Sequence, residues 1–138
     1  MDDRELWERF SAARLPDAAW THRAHLRMAW LFLERHPAID EAHILMRVGI
    51  IRLNATHGLV ETTARGYHET LTRVWLVLVD ALRRTEPAES SEAFVDTCAE
   101  RLGRDAVLGY YSRERLMSVR ARATFVDPDL MPLPSPAT

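Results

Sequence analysis

Apolar residues recur every three or four positions along nearly the whole chain, which is the period of an amphipathic helix. Leu6, Trp7 and Phe10 share one face of a first helix predicted over about 4–14, interrupted by Pro16 and Asp17. Thr21 is placed to cap a second helix from His22 to Arg35, which His36-Pro37 ends. Asp40 would cap a third that reaches about Asn54, with Gly58 marking its end. A fourth would start at Thr62 or Thr63 and run from Ala64 to Arg84, stopping before Pro87. Ser90 or Ser91 opens a fifth through about Leu102, with Gly103 behind it. A short sixth covers about 105–111 and a seventh about 113–123. From Phe125 onward four prolines forbid a helix, so an extended segment is expected, with 125–133 lying against the body.

No strand alternation or internal repeat is visible. The expectation is an all-α fold: one domain over 1–134, a compact bundle of about six or seven helices, an extended Pro-rich C-terminal segment and a loose tail at 135–138. A chain of 138 residues with 47% hydrophobic positions can bury a real core, and disorder is not indicated.

Charge narrows the function classes. A net charge of -2 and a pI of about 6.3 argue against a protein that holds nucleic acid electrostatically. All 18 basic residues are arginine, which a GC-rich coding sequence would explain without any function. The single cysteine, Cys98, rules out an internal disulfide and a cysteine-based zinc knot. The acidic start, Met1-Asp2-Asp3-Arg4-Glu5, has no signal-peptide core, and the apolar run from Val74 to Val79 is too short to span a bilayer. A cytoplasmic protein without membrane association is expected.

The chemistry-bearing residues that stand out are histidines. Residues advance about 100° around a helix. On 22–35 the apolar face is set by Leu26, Ala29, Phe32 and Leu33, and His22 and His25 fall on or beside it, one turn apart. On 64–84 the apolar face is set by Leu71, Trp75, Leu78 and Leu82, and His68 falls on it, with Glu69 at its polar boundary. Burial and a helix N-terminus both favour neutral imidazole, the form that binds metal. His22, His25 and His68 are therefore candidate ligands for a divalent transition metal (Zn, Cu, Fe or Mn), with Glu69 as a fourth ligand or a proton acceptor. Histidines that simply pack in the core and find hydrogen bonds are the alternative. His36, His43 and His57 read as structural; of the last two, His57 is the better placed to reach a pocket.

Tyr67 and Tyr111 are candidates to contact or protonate a substrate. Trp20 and Trp75 are candidate pocket walls, and Arg65, Arg120 and Arg122 could bind an anion. Nothing resembles a nucleophile elbow, a phosphate loop or a dinucleotide fingerprint.

Three segments form a set: Trp20-Thr-His-Arg-Ala-His-Leu, Gly66-Tyr-His-Glu-Thr-Leu-Thr, and Tyr110-Tyr-Ser-Arg-Glu-Arg-Leu followed by the run from Ala121 to Leu133. With them the chain resembles, from about Leu15 to Pro134, a group of small uncharacterised bacterial all-helical proteins. The resemblance implies that the histidine segments belong together and names neither a substrate nor a metal.

The leading expectation is a metal-dependent enzyme acting on a small molecule, hydrolytic or oxidative. The alternatives are a metal-free small-molecule-binding or sensor protein with a polar His-lined pocket, and a structural or interaction protein. Homodimerisation is open under each.

Overall fold

A computed structural model describes residues 1–135; of the tail expected at 135–138, all but Ser135 lies outside the described residues. Seven α-helices and two 3₁₀ turns account for the regular structure among them, and no strand is present. The helices are α1 (Asp3–Ser11), α2 (His22–Arg35), α3 (Ile39–Thr56), α4 (Glu69–Arg83), α5 (Ser91–Cys98), α6 (Arg113–Leu116) and α7 (Val119–Ala123). The 3₁₀ turns are Asp17–Ala19 and Arg104–Gly109. No helix of the described residues is long and apolar enough to cross a membrane.

Several boundaries follow the sequence. The Thr21 hydroxyl accepts the Ala24 amide at 3.1 Å and starts α2, and the Ser90 hydroxyl does the same for α5 from the Ala93 amide. Other boundaries differ, each for a local reason. α1 stops at Ser11, short of the expected 14, because Ala13 adopts a left-handed φ of 54° and the Arg14 amide turns back to the Arg9 carbonyl. α3 begins at Ile39 behind Ala38 without a side-chain cap, so Asp40 is not the cap; it lies in the first turn and pairs with Arg73. The expected helix over 113–123 is two helices, because the Ser118 hydroxyl accepts the Ala121 amide and begins a new one.

The largest correction is at the start of α4. Residues 64–68 are not helical. Gly66 has φ +101°, a conformation that glycine takes readily, and the Arg122 guanidinium donates to the carbonyls of Ala64, Gly66 and Tyr67. The loop is thereby held outside the helix, and the N-cap is His68, whose Nδ1 accepts the Leu71 amide at 3.0 Å.

α4 is the axis of the bundle, packed on α2, α3 and α7, while α5 packs on α2. The contact between α2 and α4 is the one the histidine pattern requires. Leu26, Ala29 and Leu33 of α2 and Val74, Leu76 and Val79 of α4 are all buried in the core. Gly49 of α3 lets α1 approach, since a Cβ there would collide with the Phe10 ring. The outer face of α3 keeps Ile44, Val48 and Ile51 exposed.

After α7 the chain turns back across α4. The Thr70 hydroxyl donates to the Thr124 carbonyl at 2.9 Å and accepts the Val126 amide at 3.2 Å. The buried Tyr111 hydroxyl donates to the Val126 carbonyl at 2.6 Å. These bonds lay the segment from Phe125 onward along the body, beside the N-terminal half of α4.

Candidate functional site

Residues 69, 73 and 77 lie on one face of α4, and 71 and 75 lie on the opposite face. Each face borders a cavity.

The first cavity, about 370 Å³, has Glu69, His43, Arg47 and Arg73 as its polar lining and Val77, Phe125, Leu133 and Pro134 as its apolar lining. Its polar side is organised by Glu69. Oε1 accepts the Tyr67 hydroxyl at 2.6 Å, the His43 Nε2–H at 3.0 Å and the Arg47 Nε–H at 3.0 Å, while Oε2 accepts Arg47 Nη2 at 2.6 Å. Because the Tyr67 proton goes to Glu69, the Tyr67 oxygen is left to accept from His43 Nε2, 3.1 Å away. The His43 proton is thus on Nε2, and the lone pair of the neutral ring is on Nδ1.

The protonation states agree with this geometry. Burial raises the Glu69 carboxyl, but hydrogen bonds from Arg47 and Tyr67 and the nearby cations outweigh it and hold the group below its ordinary value. Burial pushes His43 down; Glu69 opposes this, and Arg47 and Arg73 add to it. Burial first, and the bond to Glu69 second, push the Tyr67 phenol well above its ordinary value. At neutral pH the set is one carboxylate, one guanidinium, a neutral imidazole and a protonated phenol. Arg73 is paired with Asp40 at 2.6 Å. Every charged group lining this cavity has a counter-charge.

The second cavity, about 410 Å³, is lined by His22, Trp75, Leu71, Arg104, Asp105 and Arg113 among others. His22 Nε2–H donates to the Leu102 carbonyl at 2.8 Å, and the ring meets the Trp75 indole edge-on with centroids 4.8 Å apart.

The expected residues are therefore distributed. Glu69 and Tyr67 meet, and they meet His43, whose place in the sequence reads as structural, and Arg47, which no motif singles out. His57 donates to the Leu15 carbonyl at 2.8 Å and borders neither cavity. Tyr111 is committed to Val126 in the core, with burial pushing its phenol up to about 12. Trp75 is a pocket wall as expected; Trp20 stacks on His25 instead, at 5.3 Å. His25 Nε2 is sealed from solvent and has no hydrogen-bond partner among the described residues. Burial pushes His25 down to about 4, with a smaller push from His22.

His68 uses both ring nitrogens: Nδ1 accepts the Leu71 amide and Nε2–H donates to the Leu116 carbonyl at 2.9 Å. Burial pushes its pKa down, and the Leu116 carbonyl opposes part of this. Among the described residues, no three or more His, Cys, Asp or Glu side chains are grouped to hold a metal ion. A signal for His43 was available in the sequence: it lies one turn before Arg47, so one carboxylate facing that turn engages both.

Comparison with protein-family models, with curated proteins and with solved structures finds no match.

Proposed function

We propose that this chain is a metal-free binding protein for a small organic molecule, and that the cavity beside Glu69 is its binding site. The observation that carries the reading is the pairing, in one cavity, of a fixed polar wall with an apolar one. Volumes of this order suit small ligands. Val77, Phe125 and Leu133 would cover the apolar body of the ligand, while His43 Nδ1 and the outer guanidinium edges of Arg47 and Arg73 would orient its polar group. Glu69 is fully engaged by donors and stays ionised, so it serves to position His43 and Arg47. The raised phenol and the lowered carboxyl favour binding over proton transfer.

The test is a ligand-observed NMR screen of small molecules that combine an apolar ring with one polar group, with binders mapped by amide shifts. Binders should shift residues around His43, Val77 and Phe125, and the half-exposed Phe125→Ala should weaken them. An absence of binders from the folded protein, or binders indifferent to Phe125→Ala, would overturn the reading.

A metal-dependent enzyme built on His22, His25 and His68 is a separate proposal and asks more of the protein. It needs His68 to release the amide of α4 or the Leu116 carbonyl before a lone pair is free. Elemental analysis of tag-free protein, beside His22→Ala and His68→Ala, tests it. Near-stoichiometric metal lost in both variants, with the helical circular dichroism unchanged, would favour it over the metal-free reading.

A further inference from the structure

The second cavity differs from the first in its charges. Arg104 and Arg113 both line it, and among the described residues neither has a carboxylate within ion-pairing distance or a side-chain hydrogen bond. Most other arginines of the chain are paired or bonded to carbonyls. Arg47 and Arg73 at the first cavity are examples. Against the two guanidiniums the lining offers one carboxylate, Asp105, so its arginine and carboxylate side chains leave an excess of positive charge.

We propose that this cavity binds an oxyanion carried on an aromatic ring, an aryl carboxylate or aryl phosphate. Arginine presents a planar fork of N–H donors that matches either group with two parallel bonds. The remainder of the lining suits a flat apolar body. Trp75 and Leu71 form one wall, and the buried Leu116 forms part of another. The His22 ring is already oriented by Leu102 and Trp75, so it adds a polar edge at little ordering cost. His22 also opens α2, and the first turn of that helix contains no acidic residue to offset its positive end. The site shares no lining residue with the Glu69 cavity, so each can fail without the other.

The test is an amide and indole NMR titration of the full chain with naphthalene-2-carboxylate and with 2-naphthyl phosphate. The neutral control is naphthalene-2-methanol. Either anion should bind and shift the Trp75 indole N–H and the amides near Val107 and Met117. Arg104→Ala combined with Arg113→Ala should weaken the affinity by about a hundredfold, about tenfold for each charged donor lost. Lysine at both positions should restore part of it, because the charge returns without the fork. Both side chains are exposed, so the variants should fold, and circular dichroism checks this. Tighter binding of the phosphate or of the carboxylate identifies the group. Shifts elsewhere, equal binding of the alcohol, inorganic phosphate binding as well as the aryl anions, or an unchanged affinity in the alanine variant would each overturn the proposal.

Discussion

On one face of α4, Glu69 gathers Tyr67, His43 and Arg47 until its oxygens are fully engaged; on the other, Arg104 and Arg113 face a cavity with only Asp105 among them. The same helix thus separates a neutralised polar cluster from an unneutralised one. The two sets of charges therefore serve different ends. A carboxylate inside a ring of donors contributes to stability and fixes geometry, because its removal strands buried donors. Cations without partners contribute little to stability and leave their hydrogen-bonding capacity for something else.

Glu69→Ala should have the largest effect. It would leave the Tyr67, His43 and Arg47 donors without their acceptor, with an expected loss of about 3 kcal/mol in urea unfolding at neutral pH. A loss comparable to that of an ordinary surface change would mean that the cluster is not a stabilising unit.

Acid should act through His25, which stacks on Trp20. His25 has its pKa pushed down to about 4 from an ordinary 6.5, so the folded state resists a proton that the unfolded state accepts. Its contribution to stability is complete above about pH 6.5 and is lost as pH falls towards 4, by roughly 3 kcal/mol. His25→Phe should remove this part of the acid slope and, by replacing an unpartnered Nε2, cost little at pH 7. An acid slope unchanged in the variant would place the titration elsewhere. Glu69, held below its ordinary value, keeps its contribution above that value and loses it as pH falls from there through the lowered one, so the loss near pH 6 belongs to His25 alone of the two.

His68→Ala should cost about 2 kcal/mol, combining a lost N-cap with a stranded Leu116 carbonyl. His68→Asn, which can still accept the Leu71 amide, should recover part of that loss. The smallest expected effect is the most discriminating. Arg104→Ala and Arg113→Ala together should change unfolding stability by no more than about 0.5 kcal/mol. A larger loss would show that these arginines serve the fold.

Much of the helical frame was legible in the sequence because capping and amphipathic period are local. α2 begins and ends where Thr21 and His36 place it, and Leu26, Ala29 and Leu33 are buried as their spacing requires. The candidate site was legible in part. Glu69 and Tyr67 stand near each other in the chain, and their contact needs only a turn. His43 and Arg47 come from α3, and nothing local says that α3 faces Glu69. His22, partly buried on α2, and His68, buried at the N-cap of α4, bond through Nε2 to the Leu102 and Leu116 carbonyls, which are distant in the chain and which the amphipathic pattern does not name.

Periodicity and caps are enough to make the chain all-helical and to choose the faces that enter the core, but that α2 and α4 are neighbours follows only from the packing. Packing also settles which polar groups satisfy one another. It made His68 a cap, gathered Tyr67, His43 and Arg47 on Glu69 and, among the described residues, left Arg104 and Arg113 without an ion-pairing carboxylate. The physical reason is that a hydrogen bond or ion pair depends on distances of a few ångströms between segments remote in the chain, and those distances exist only once the helices have packed.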